Sequence, residues 1–151
     1  TSVYSNPASN ILELNLPSSI LPLEPGRYFW GVKAYIGSVE QLYTVRTFFV
    51  DTVIPNIALL DLPNSNASLA ADTITFTWHF NPTSETFSAP VNSTIEIATD
   101  VNFTTITKTE TGIFYQKDII LSTGTYYWRV KNSDKAGNQS PISEVRTLVI
   151  N

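Results

Sequence analysis

The sequence predicts an all-β protein built from two consecutive β-sandwich units, the first present only as its C-terminal half. Three observations carry that expectation. Apolar and polar residues alternate in short runs, most cleanly in Gly124-Thr125-Tyr126-Tyr127-Trp128-Arg129-Val130-Lys131, which sets Tyr126, Trp128 and Val130 on one face and Tyr127, Arg129 and Lys131 on the other. Nearly the same words occur earlier, as Gly26-Arg27-Tyr28-Phe29-Trp30-Gly31-Val32-Lys33. Helical periodicity is missing throughout, and charged residues at 15% leave a surface covered by Ser, Thr and Asn, with Thr, Val, Ile, Tyr and Phe supplying strand formers.

The repeat sets the unit length. Gly26 recurs as Gly124, 98 positions on, and Val45-Arg46-Thr47 recurs as Val145-Arg146-Thr147, 100 positions on. Solenoid and propeller-blade repeats run to roughly 20–50 residues, so this period matches a tandem array of sandwich domains of roughly 100 residues each. The second unit then occupies 52–151, and residues 1–51 hold the latter half of another.

In that half, Leu12, Leu14 and Leu16 alternate with Glu13 and Asn15 as a half-buried strand. Pro17, Pro22 and Pro25-Gly26 punctuate the return to the Tyr28-Trp30-Val32 strand, and Gly37-Ser38 turns the chain into a last strand at about Leu42 to Val50. Three strands cannot bury an apolar face alone. The missing strands are expected from upstream sequence, or from another chain by strand complementation, which would build polymers; a chain that simply begins mid-domain is the plainer expectation. A sequence that starts at Thr1 and contains no Met is expected to continue upstream in its parent. Asp51-Thr52-Val53-Ile54-Pro55 joins the units without a Gly/Ser tract, which predicts an end-to-end rod.

In the second unit, Ile57 to Leu62 reads as a first strand, and Thr73 to Trp78 as a second with Ile74, Phe76 and Trp78 inward. A polar loop containing Pro82 and Pro90 leads to Thr94–Ile97, with Ile95 and Ile97 inward. Phe103 to Thr109 reads as a Thr-rich edge strand, followed by strands at Phe114 to Leu121, Tyr126 to Lys131 and Val145 to Ile150. Seven strands with turn signals between them fit an immunoglobulin-like sandwich.

Taken together, Thr73–Trp78, Ile95-Glu96-Ile97-Ala98-Thr99-Asp100 with Phe103, Gly124-Thr125-Tyr126-Tyr127-Trp128-Arg129-Val130, and Asp134-Lys135-Ala136-Gly137-Asn138-Gln139-Ser140 resemble a fibronectin type III domain of the bacterial cell-surface or secreted type. The resemblance spans essentially all of 52–151, and its C-terminal half recurs in 1–51. It implies that Tyr126 and Tyr28 stand at tyrosine corners, ring buried and hydroxyl on nearby backbone, and that Trp78 and Trp128 face each other across the sheets. The expected core is Tyr28, Trp30, Val32, Ile74, Phe76, Trp78, Ile95, Ile97, Tyr126, Trp128 and Val130. The first copy departs from the pattern after Lys33, because Ala34-Tyr35-Ile36-Gly37-Ser38-Val39 lacks the Asp and the Gly-Asn pair.

Composition and motifs narrow the function. A net charge of −4 with nine unclustered Lys and Arg offers no electrostatic footprint for nucleic acid or an anionic membrane. No apolar run reaches the roughly 20 residues of a membrane span. Without cysteine there is no disulfide framework, thiolate nucleophile or Cys-ligated metal. His79, the sole histidine, has no visible catalytic partner and reads as a strand-end residue; the scattered carboxylates show no glycosidase spacing. No cofactor is expected. Asp51, Asp100 and Asp134 are the calcium candidates, set against the simpler reading of Asp and Asn as turn formers that bond their own backbone, since no Asp-x-Asp-x-Asp-Gly loop is present. Outward Tyr127 and Phe29 could stack on glycans, or pair across strands. Sequons begin at Asn66, Asn92, Asn102 and Asn138, but in a chain this rich in Asn, Ser and Thr such triplets arise by chance.

The expected function is therefore a non-catalytic extracellular or cell-surface module for spacing and adhesion, within a rod of repeated sandwiches. Its expected partners are neighbouring β-sandwich domains of the same or another chain, other surface proteins or glycans, met by a contact loop at Asp134, Lys135 and Asn138. The alternative is a linker or accessory module of a secreted polysaccharide-degrading enzyme. A small enzyme in its own right is a third possibility.

Overall fold

The computed structural model describes residues 16–81, 89–113 and 115–151. The chain divides after Asp51 into two compact units. Among the described residues there is no α-helix, only a single 3-10 turn at Ser18–Ile20.

The first unit holds β1 (Gly26–Gly31), β2 (Tyr35–Ile36), β3 (Val39–Glu40) and β4 (Val45–Val50). β1 and β4 form an antiparallel pair, with Tyr28 opposite Phe48 and Trp30 opposite Arg46. β2 and β3 make a tight hairpin between them, turning through Gly37 at φ +63°, a conformation that L side chains rarely adopt. Tyr28 stacks on Phe48 with ring centroids 5.4 Å apart and donates its hydroxyl to the Glu24 carbonyl at 2.8 Å.

The second unit is a sandwich of β5 (Leu59–Leu62), β6 (Ala67–Leu69), β7 (Thr73–His79), β8 (Asn92–Ala98), β9 (Ile106–Gly112), β10 (Gln116–Ile120), β11 (Gly124–Ser133) and β12 (Arg146–Ile150). One sheet runs β10-β7-β5 and the other β6-β12-β11-β8-β9, antiparallel except for the parallel β6–β12 pair. Alternation puts Ile74, Phe76 and Trp78 of β7 inward against Ile95 and Ile97 of β8, Trp128 and Val130 of β11, and Leu148 and Ile150 of β12. Phe76 meets Trp128 edge-on across the sheets, ring centroids 5.0 Å apart. Burying each such side chain contributes about 1.5–3 kcal/mol, and this stripe of large residues is what holds the two sheets together.

The two hairpins are the same ladder. Gly26↔Val50, Tyr28↔Phe48 and Trp30↔Arg46 in the first unit become Gly124↔Ile150, Tyr126↔Leu148 and Trp128↔Arg146 in the second. The offsets of 98 and 100 thus fall on the two strands of one hairpin, and their difference is a longer connection in the second copy. Both copies enter the hairpin through glycine, at φ +153° for Gly26 and +157° for Gly124; a Cβ on Gly124 would come within 3.4 Å of the Tyr126 ring.

Several expectations need correction. Trp30 is 51% exposed and Val32 73%, so neither belongs to a core, and Tyr28 is only partly covered. The cause is the pairing: among the described residues β1 and β4 pair only with each other. Trp128, by contrast, is 0% exposed, while Tyr126 packs against the core with its ring partly open. The first strand of the second unit lies at Leu59–Leu62, within the expected Ile57–Leu62, and a further short strand that the sequence did not suggest, β6, pairs in parallel with β12 in the other sheet. The edge strand begins at Ile106, since Phe103 sits in a turn at φ +57° with its ring buried. The strand expected at Leu12–Leu16 falls, but for Leu16, outside the described residues, as do Pro82 and Phe114.

Candidate functional site

The loop after β11 gathers the most polar chemistry. Asp134, 3% exposed, lies where β11 ends and turns its carboxylate back under the loop. Oδ1 accepts the backbone N–H groups of Ala136, Gly137 and Asn138 at 2.8–2.9 Å, and Oδ2 accepts the Asn138 side-chain amide at 2.9 Å. The three N–H groups converge because a short Asp side chain can reach backbone two to four residues ahead, the Asx geometry that favours Asp at turns. Of the three residues of the expected contact loop, Asp134 is buried, Asn138 is half-buried and bonded to Asp134, and Lys135 is exposed.

Asp100 does the same between β8 and β9. Its Oδ1 accepts the N–H of Asn102 and Thr104 at 3.0 and 3.1 Å, and Oδ2 that of Thr105 at 2.7 Å. The Thr104 and Thr105 N–H bonds outweigh partial desolvation and hold the carboxyl below the ordinary aspartate range. Asp51 directly follows β4. Among the described residues no group of three or more His, Asp or Glu side chains is placed to share an ion.

Serine hydroxyls, which sequence reasoning passed over, finish the edge of β11. Before β12 becomes regular, Ser140 and Ser143 each donate their N–H to a β11 carbonyl, of Asn132 and Val130, at 2.9 Å. Their Oγ atoms accept the N–H of the same two residues at 2.9 Å, so each serine completes both bonds that a strand residue would. A buried chain runs inward from there. Trp78 Nε1 donates to Ser93 Oγ at 3.0 Å, Ser93 donates to Asn132 Oδ1 at 2.8 Å, and the Asn132 amide donates to the Asn56 carbonyl at 3.1 Å. Trp78 and Trp128 lie in opposite sheets of one core, while the Trp128 Nε1 has no hydrogen-bond partner among the described residues.

Arg146 ties β12 to the end of β5. Its guanidinium donates to the carbonyls of Leu60 at 2.7 Å, Asp61 at 2.9 Å and Pro63 at 3.2 Å, and Nε to Glu144 at 2.8 Å. An open groove of about 390 Å³ lies beside it, lined by Ile57, Ala58, Leu59, Leu60, Glu144 and Arg146. His79 does have a neighbour that spacing did not reveal: its Nδ1 meets the Asp61 carboxylate at 2.8 Å, because Leu59 pairs with His79 across β5 and β7. The pair is exposed, and among the described residues no hydroxyl hydrogen-bonds to the ring, so it lacks the third member of a nucleophilic site.

The outward faces carry ordinary sheet pairs. Arg129 forms a 2.7 Å ion pair with Glu96 and lays its guanidinium 3.9 Å from the Phe103 ring centroid. Phe29 is 64% exposed opposite Thr47, and Tyr127 is half-buried opposite Ala98 and Thr147. None of the described helical segments is long and apolar enough to cross a membrane.

No protein-family model matches the sequence, and no curated protein matches it. Solved structures do. The fibronectin(III)-like modules of Clostridium thermocellum CbhA are similar at 12% identity over 84% of this chain and 63% of that one, with a TM-score of 0.56. The sixth fibronectin type III domain of human fibronectin type III domain containing protein 3 aligns at 17% identity over 66% of this chain and 89% of its own, TM-score 0.49. Domains d3-d4 of the rat CD45 extracellular region align at 14% identity over 97% and 74%, TM-score 0.49. The likeness is one of fold: an all-β protein with a fibronectin type III-like, immunoglobulin-like sandwich.

Proposed function

We propose that this chain is a non-catalytic structural and adhesion segment of a larger extracellular or cell-surface protein, contributing sandwich units to a rod of repeats. One observation carries the reading. The polar side chains gathered at the loop ends of the second unit, Asp100, Asp134, Arg146, Ser140 and Ser143, are bonded to the chain's own backbone, so they maintain shape and leave no set of groups aimed at a substrate. Contact with neighbouring sandwiches or surface proteins then falls to exposed positions such as Lys135 at the tip of the Asp134 loop.

The second reading is an accessory module of a secreted polysaccharide-degrading enzyme, favoured by the exposed ring of Phe29, which a sugar face could stack on. One experiment separates them. Cells displaying the parent protein are shaved with protease while the purified chain is incubated with insoluble polysaccharides. Release of the chain from intact cells without polysaccharide binding supports the first reading. Retention inside the cell would overturn it, and saturable polysaccharide binding lost in Phe29→Ala would replace it with the second.

A further inference from the structure

A strand at the edge of a sheet presents backbone N–H and C=O groups to any other strand of matching register. Among the described residues the second unit has four such edges, β5, β6, β9 and β10. β5 is closed, because Arg146 holds the carbonyls of Leu60, Asp61 and Pro63. β6 is only three residues long. β10 has Asp118 at its midpoint, so a second copy laid antiparallel along it in full overlap sets Asp118 against Asp118.

β9 differs. It runs Ile106-Thr107-Lys108-Thr109-Glu110-Thr111-Gly112, as long as β8 beside it, with Lys108 and Thr109 exposed. Its register against β8 shifts only next to Thr107, which leaves Lys108–Gly112 regular. Along a regular strand alternate residues turn N–H and C=O to the same edge, so two antiparallel copies exchange those bonds only when a two-fold axis passes through a residue and not between two. An axis at Lys108 opposes lysine to lysine, and one at Glu110 opposes glutamate to glutamate. An axis at Thr109, the midpoint of β9, opposes Lys108 to Glu110 twice and Thr109 to itself, and it overlaps the whole strand. Opposed residues share a face, so the unlike charges meet as direct cross-strand pairs. None of the ion pairs among the described residues uses Lys108, and Glu110, which holds Lys117 at 3.2 Å, keeps 45% of its side chain exposed for a second cation. A lysine on an edge ordinarily discourages pairing. Two residues from a glutamate on the same face, it selects a register instead.

We propose that β9 is a self-complementary edge, through which two copies of this chain pair antiparallel about a two-fold axis at Thr109 and join their five-stranded sheets into one. The contact is isologous, each Lys108 meeting the Glu110 of the other copy. It does not rest on an adhesive role for the protein.

The 151-residue chain is tested by sedimentation over a concentration series, in which a monomer and dimer in equilibrium are expected. Lys108→Glu makes both cross-strand pairs repulsive and is expected to weaken the dimer about tenfold. Adding Glu110→Lys to that variant is expected to restore it. The chain has no cysteine, so a single introduced one reports the register. Thr109→Cys is expected to give a disulfide-linked dimer under mild oxidation, because opposed Cα atoms of an antiparallel pair lie about 4.5–5.5 Å apart, within reach of a disulfide. Thr111→Cys, opposite Thr107 in this register, is expected to stay unlinked. A monomer at every concentration overturns the proposal, as does equal crosslinking of the two cysteine variants. A dimer that Lys108→Glu leaves unchanged overturns it too and assigns association to another face.

Discussion

Two stretches of this molecule share a word and a register yet meet opposite fates. β1–β4 and β11–β12 pair the same positions, tyrosine against an apolar residue and tryptophan against arginine. In one the indole is half in water, and in the other it is sealed. Pairing follows from local alternation and from the glycine that starts each copy, so it forms in both. Burial depends on strands distant in sequence, which only the second copy has among the described residues.

Mutation of the two indoles should break the symmetry most sharply. Trp128→Ala removes the largest fully buried side chain and is expected to destabilise the second unit by about 3–5 kcal/mol, whereas Trp30→Ala should cost less than about 0.5 kcal/mol. Urea unfolding of both variants checks this, and equal losses would mean that the first hairpin is covered after all.

The loops give the next contrast. Asp134→Ala strips four hydrogen bonds from a buried carboxylate and is expected to cost about 2–3 kcal/mol. The first copy has no such residue; its short β2–β3 hairpin is flanked by the exposed Lys33–Glu40 pair at 2.8 Å, and Glu40→Gln should leave the melting temperature where it was.

Within the second core, Ser93→Ala cuts the link between Trp78 and Asn132 and is expected to cost about 1–2 kcal/mol. A stability unchanged by that variant would show that water or repacking replaces the hydroxyl.

The smallest effect is one of pH. Asp100 is held below its ordinary value of 3.8, chiefly by the Thr104 N–H. A depressed carboxyl contributes stability that is fully present above the ordinary value and is lost as pH falls through the lower, folded one. The carboxyl carbon of Asp100 followed by NMR should titrate below 3.8, and a midpoint at or above it would remove Asp100 as the anchor of its turn.

Much of this architecture could be read before any coordinates. Alternation placed Ile74, Phe76, Trp78, Ile95, Ile97, Trp128 and Val130 inward, and all seven lie in the core. The polar sites were less legible. Asp134 was visible as a turn former, but its inward aim was not. Ser93, Asn132 and Ser143 gave no signal, and Ser140 and Arg146 showed only as parts of a motif and a repeat without their bonding roles, because a hydroxyl or guanidinium acquires its partners from segments up to 86 residues away.

By itself the sequence determined the longer strands, the repeat and the identity of the second core, since each follows from side-chain periodicity that a single segment carries. Tertiary structure alone decided which apolar faces are covered, that the short β6 joins β12, and which polar atoms meet. Those depend on the distance between residues far apart along the chain, and a local pattern holds no measure of it.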